Sequence, residues 1–360
     1  MNSTIALERL DNHRIARSTL RDPASVVTWL GAVQAQDYAA AKWGVALRMA
    51  NVPGADDLER ALAEGTVLRT HVLRPTWHFV PASDVWWMLD LSASRVEQSL
   101  AYAYRQFEID AALRKRARKT FERAVEDGSA LTRGELGGHL ARAGIAAKGV
   151  RLALLTIHAE LEGIVCSGPV RGKDITYALL AARAPKVKRL SRDEALAELT
   201  TRYFRSHGPA TLRDFAWWSG LTMADVKRGV GFAACRHEVI DGLSYWRADD
   251  PSAGRAVPAS THLLPIYDEY LVAYRDLDAV PRKAGSRGRL EQAVVAGGHV
   301  VGTWKAVTRG TDVALEVTCR RRVTSSERRA LDDVAARYGR FTGKAVSVRV
   351  EPGGSRRASA

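Results

Sequence analysis

One order of elements occurs twice in this chain, and it restricts the fold more than any single motif. After residue 100 a charged segment, LRKRARKTFERAVEDG, ends at Gly128. LTRGELGGHLARAGI follows, with Thr132 placed to cap a helix and Glu135 three residues on, a capping-box spacing. RLALLTIHAELEGIVCSG reads as a helix running into a strand, and PVRGKDITYALL as a basic turn into another strand. Helix, helix, helix, strand, basic turn, strand is the order of a winged helix. It returns further on. SRDEALAELTTRYFRSHG is a long helix with Glu194 at capping-box distance from Ser191. PATLRDFAWWSG and TMADVKRGV make two short helices, and CRHEVIDGLSYWRA gives strand, turn at Asp241–Gly242, strand.

The first hundred residues fit that order more loosely. DPASVVTWLGAV is a capped helix, with Asp22 at the cap, Pro23 in the first turn and Val26, Val27, Leu30 and Val33 on one apolar face. A short helix and a Gly65 stop lead into a strand-like stretch reaching Val80, and PASDVWWMLDLSA opens a helix capped by Ser83 or Asp84. From residue 256 the texture changes. QAVVAGGHVVGTWKAVTRGTDVALEVTCRRR alternates around Gly297–Gly298 and Arg309–Gly310 as hairpins do, and a last helix starts at Ser325 or Ser326. The expectation is an α+β chain of three tandem winged helices and a C-terminal β-rich, barrel-like domain. Its segments are residues 1–100, 101–186, 187–255 and 256–347, with a disordered tail over 348–360. The paired tryptophans at 86–87 and 217–218 are assigned to the core.

At 360 residues the chain exceeds one ordinary core, in keeping with several domains. Cys166, Cys235 and Cys319 lie far apart with no CxxC spacing, so neither a zinc site nor a disulfide framework is expected. The N-terminus turns charged too early for a secretory signal, which makes the cytoplasm the expected compartment. No GxxxxGK[ST], HExxH or GxSxG motif is present, and no cofactor is expected. Lys and Arg number 54 against 40 acids, a net +14 that favours a polyanionic partner. Arginine far outnumbers lysine, so a GC-rich genome could also raise the charge without any partner.

AVQAQDYAAAKWGVAL holds two of the chain's five glutamines, Gln34 and Gln36, with one alanine between them. Two neutral amides are poor bases, nucleophiles and metal ligands. They either cap backbone groups at a helix end or handle chemistry that needs orientation. In a helix residues i and i+2 point about 200° apart, whereas in an extended segment they share a face. A joint role therefore requires both to lie past the helix end. Asp37 is expected to cap the helix that follows.

Four stretches, WLGAVQAQD, LRTHVLRPTWHFVPASDVWWML, HGPATLRDFAWWSGL and LLPIYDEYLVAYRD, resemble the winged-helix DNA-binding proteins that include the bacterial AlkZ/YcaQ-type DNA glycosylases. The similarity runs in order from about residue 6 to about residue 343. It implies a concave basic surface for duplex DNA, excision of alkylated purines, bulky N7 adducts and crosslinks among them, and a catalytic glutamine–small or aliphatic–glutamine or aspartate element. Gln34-Ala35-Gln36 matches the two-glutamine form, with a middle residue smaller than usual. An N7-alkylated guanine is cationic and leaves as a neutral base, so no general acid is required. What remains is to stabilise an oxocarbenium-like sugar and to hold one water below C1′, which side-chain carbonyls can do.

Other candidates follow. His71, Arg74, Trp77 and His78 lie in THVLRPTWHFV, where alternation along a strand would put odd and even positions on opposite faces. Trp77 could stack on an extruded base and Arg74 hold a phosphate; core packing of Trp77 and an interior role for His78 are the plainer alternatives. Asp268, with Glu269 and Tyr270, forms an acidic patch that faces a pocket or pairs with arginines. Arg282, Lys283, Arg287 and Arg289, then Lys305 and Arg309 at the hairpins, are expected to contact DNA. The recognition-type helix RLALLTIHAELEG is not basic, which argues against major-groove sequence reading. The expected activity is a monofunctional glycosylase acting as a monomer on double-stranded DNA in a bacterial cytoplasm, near the nucleoid. The alternative is a non-catalytic winged-helix DNA-binding protein, a regulator or lesion binder.

Overall fold

The computed structural model describes residues 3–184, 189–249, 260–275 and 291–352. Its elements are mixed, helices and mainly antiparallel strands, and they group into two compact units, each assembled from separated stretches of chain. The first comprises Met1–Leu58, Thr201–Phe215 and Ala234–Ala360; the second, Glu59–Thr200 and Ala216–Ala233. Among the described residues no helix is long and apolar enough to cross a membrane.

The first unit is built on a five-stranded sheet. In spatial order its strands are Ala345–Pro352, Asp312–Cys319, His299–Arg309, Ala293–Ala296 and Thr261–Leu264. Gly297 and Gly298, both at positive φ, turn the chain between Ala293–Ala296 and His299–Arg309, as the double glycine predicts. Gly298 is required for a second reason: a Cβ there would sit 2.6 Å from that of Ala6. The helix Ser325–Thr342 returns the chain so that Ala345–Pro352 runs parallel to Asp312–Cys319. Its N-cap is Thr324, in a capping box with Glu327, one residue before the serines that the sequence suggests. Trp43 and Trp304 fix the sheet edge through their indole N–H groups, which donate to Leu263 O at 2.9 Å and Leu264 O at 2.8 Å. Both rings meet Tyr338 of that helix edge-on.

Two expectations change here. The sheet is open, with Ala345–Pro352 and Thr261–Leu264 at its edges, so no closed barrel forms among the described residues. Residues 348–352, assigned to a disordered tail, are strand: alternating valines at 346, 348 and 350 supply the period-2 pattern that the sheet extends.

The second unit packs Ala111–Val125, Arg133–Arg142 and Gly149–Leu161 around Phe121, Leu136, Leu140 and Leu155, all buried. The hairpin Val165–Arg171 and Asp174–Leu179 follows, and the short strand Leu131–Thr132 joins its second arm. Thr132 caps Arg133–Arg142 and Glu135 completes the reciprocal bond, as the spacing predicts. Ser191 and Glu194 form the same reciprocal pair before Arg192–His207. The stretch anticipated as one strand up to Val80 is instead a hairpin, Val67–His71 paired with Trp77–Pro81. Leu73, at φ 61°, reverses the chain between the arms. Asp84 precedes the helix Val85–Gln106 but makes no capping bond; its carboxylate accepts from Trp87 Nε1 at 3.2 Å. Trp87 and Trp218 are core, whereas Trp217 is 52 % exposed, since neighbours on a helix point about 100° apart.

Candidate functional site

The helix Pro23–Leu30 starts at Asp22, whose carboxylate accepts from Ser25 N at 2.8 Å, and stops at Gly31 with φ 84°. A short extended segment, Val33–Gln34, follows before Asp37 caps the helix Tyr38–Ala46. Gln34 and Gln36 therefore lie between two helices, Gln34 at the end of the extended segment and Gln36 in the bend before the next cap. Ala35 is fully buried, Gln34 half-buried and Gln36 exposed. The small middle residue seats the segment in the core, and the amides flank it.

What holds this segment is a carboxylate 235 residues away in sequence. The backbone N–H of Gln34 donates to Glu269 Oε1 at 2.6 Å, and Glu269 itself is 1 % exposed. Its other oxygen stands 3.7 Å from His207 Nε2. Below it, Tyr274 donates its hydroxyl hydrogen to His207 O at 2.8 Å, so the same oxygen must accept from His13 Nε2, also at 2.8 Å. His13 is thus a neutral Nε2–H tautomer, and burial holds its pKa well below the ordinary value. Burial also lowers the pKa of His207, against the opposing influence of Glu269.

Asp268 does not open onto a cavity. It forms a bidentate pair with Arg48, both bonds 2.7 Å, with the two side chains 1 % exposed. Arg48 also donates to His13 O at 2.9 Å and Gly44 O at 2.7 Å, and Asp268 accepts from Tyr270 N at 2.9 Å. Every charge-bearing face of the pair is thereby occupied, which a buried ion pair needs to offset desolvation of several kcal/mol per ion. The alternative to a pocket role, pairing with arginine, is the one realised. Asp268 anchors the turn whose next residue, Glu269, holds Gln34.

His71, Arg74, Trp77 and His78 belong to the second unit. His71 Nδ1 is hydrogen-bonded to Glu160 Oε2, and Trp77 Nε1 donates to Glu160 Oε1 at 3.2 Å. Trp77 carries the Arg69 guanidinium 4.4 Å above its ring, so its partner there is a cation. His78 is fully buried; its Nδ1–H donates to Thr76 O at 3.0 Å and its Nε2 accepts from Arg74 Nη2 at 3.3 Å. Both ring nitrogens are satisfied by a neutral tautomer, the interior alternative for this histidine.

Lys305 and Arg309 lie on the strand His299–Arg309. Lys305 is paired with Glu316 at 2.7 Å, while Arg309 stands exposed beside the Gly310–Thr311 tip. Arg282, Lys283, Arg287 and Arg289 lie outside the described residues. The sequence offered no signal for Glu269 beyond its place in an acidic patch, and none for Glu160 or His207, whose partners are remote in the chain.

The link that carries the two amides is thus tied through the Gln34 backbone to a buried carboxylate. A family model described as DNA glycosylase AlkZ-like matches residues 27–341, and the chain belongs to that family. Membership classes it as an enzyme, a DNA glycosylase. Over 326 residues it is 27 % identical to the interstrand DNA cross-link repair glycosylase of Streptomyces sahachiroi, covering 83 % of this chain and 86 % of that one. Its fold is similar to that of the Streptomyces sahachiroi DNA glycosylase AlkZ, with a TM-score of 0.78 at 23 % identity over 97 % of this chain and 99 % of the other.

Proposed function

We propose that this chain excises N7-alkylated, cationic purines from duplex DNA by hydrolysing the N-glycosidic bond, with Gln34 and Gln36 positioning the water. The observation that carries the proposal is the placement of Gln34-Ala35-Gln36 between two helices, Gln34 ending a short extended segment and Gln36 in a bend, with the middle residue buried and the Gln34 backbone N–H bound by Glu269. A departing base that is already charged needs no proton, so two acceptors fixed in space suffice to aim a lone pair at C1′. Glu269 acts here as a positioning residue, through the backbone of Gln34. The name of the Streptomyces relative favours bulky or crosslinking adducts as the lesion class.

In this proposal the helices and hairpin from Ala111 to Leu179 form a winged helix, and tandem copies of that design together with the open sheet bind the duplex. Arg309 at its hairpin tip is the basic contact offered to the minor groove, since the Lys305 charge is met locally by Glu316. The test is release of base from duplexes carrying a defined N7-alkylguanine, followed by alkaline cleavage at the abasic site. Wild type should cleave, with Gln34→Ala and Gln36→Ala each slower by about a hundredfold. Equal release by all three would remove the amides from catalysis. Binding without release by wild type would favour a non-catalytic lesion binder.

A further inference from the structure

The second unit contains an open cleft of about 560 Å³ whose lining includes three cations. Arg69, Arg133 and Lys173 converge on it from three elements: a strand, the first turn of a helix and a hairpin turn. Arg69 is only 5 % exposed, and its guanidinium is spread over the Trp77 ring at 4.4 Å, which fixes the plane of its donors. Arg133 stands 5.7 Å over the same ring and donates from Nη2 to Tyr177 OH at 3.3 Å. Thr132 and Gly134 add the N-terminus of the helix Arg133–Arg142, whose first-turn amides have no intrahelical acceptor. The carboxylate of Glu160 lies behind, fully buried and engaged by His71 and Trp77; Asp174 is the acid on the rim.

A planar guanidinium held on an aromatic face, two exposed cations and a helix N-terminus together make a receptor for a tetrahedral oxyanion. A carboxylate ligand would use one cation and leave the others facing each other across solvent. A phosphodiester presents oxygens in several directions, and an open cleft lets its strand continue past both ends. We propose that this cleft binds a backbone phosphodiester of DNA, held by Arg69, Arg133 and Lys173. The identity of the polymer rests on the glycosylase reading above; the anion chemistry does not.

The experiment measures fluorescence anisotropy of a labelled, undamaged duplex between about 50 and about 200 mM salt, with wild type, Arg133→Ala/Lys173→Ala and Asp174→Asn. The replaced side chains are exposed, so the variants keep the fold, which circular dichroism checks. The double variant should bind about tenfold more weakly at low salt, and the slope of log K against log salt should shrink by about 0.9, the increment for the one phosphate lost. Asp174→Asn should bind about two- to fivefold more tightly, a gain that misfolding cannot imitate. If wild type binds while the double variant keeps its affinity and slope, or Asp174→Asn shows no gain, the cleft is not a phosphate site. The glycosylase reading then stands, because no base release is involved. If wild type does not bind the duplex at all, both fall.

Discussion

In the first unit His13, His207 and His262 are buried, and burial lowers the pKa of each, that of His262 to about 3. In the second unit His71 and His158 meet carboxylates directly, Glu160 and, at 2.5 Å, Glu97. Even His207, which faces Glu269, does so across 3.7 Å and stays depressed. The contrast extends to the cations. Arg48 is locked in an interior bidentate pair, whereas Arg133 and Lys173 project from a solvent-facing cleft. One unit uses its polar residues as a rigid, uncharged or internally neutralised frame around the glutamine link. The other, besides its buried His71–Glu160 pair, carries Arg133 and Lys173 at the surface, where they can attract an anion. Orientation and attraction need opposite environments, and the two units supply one each.

The comparison is broken most severely at Arg48. Arg48→Ala leaves the Asp268 carboxylate buried without its counter-charge, and unfolding in urea should show a loss of about 3–5 kcal/mol. Arg133→Ala in the second unit should cost no more than about 0.5 kcal/mol. If both cost the same, the Arg48–Asp268 pair contributes no more to stability than an exposed cation does. A smaller effect is expected at Glu269. Glu269→Ala should slow base release about tenfold to a hundredfold by freeing the Gln34 backbone. Glu269→Gln should recover most of it, because an amide oxygen still accepts the N–H. No rescue by glutamine would show that the negative charge, and not the hydrogen bond, matters.

Smallest is the pH effect. A histidine whose folded pKa lies below its unfolded value of about 6.5 stabilises fully above that pH, and the stability drains away as pH falls toward the folded pKa. For His262 the window runs from about 6.5 down to about 3, and the loss at pH 5 should reach about 2 kcal/mol. Chemical denaturation at pH 7.5 and 5.0 reads it, and His262→Gln should flatten that slope. An unchanged slope would mean that His262 takes up its proton without leaving the fold.

Short-range features were legible in the sequence. Asp22, Asp37 and Thr132 cap the helices they precede, and the turns at Asp241–Gly242 and Gly297–Gly298 fall where glycine permits positive φ. The cap at Asp37 was legible too, but the helix before it stops at Leu30, short of the Val33 that its apolar pattern reaches. The partners of Gln34 and of the buried charged residues were not legible. Glu269, Arg48 with Asp268, and His71 with Glu160 are joined across 235, 220 and 89 residues, distances at which local pattern carries no information. Trp217 misled because the sequence of a helix with two adjacent tryptophans does not say which one faces inward. The expected barrel gave way to an open sheet because the helix Ser325–Thr342 delivers the final strand parallel to its neighbour, at an outer edge.

The sequence by itself determined where several helices start, where the chain turns, and that two amides stand one residue apart just before a capped helix. Each of those depends on interactions within a few residues. Tertiary structure alone decided which carboxylate grips that link, which histidines lose their charge and where three cations converge. Those outcomes depend on which remote segments share an interior, and so on how much water each charged group retains.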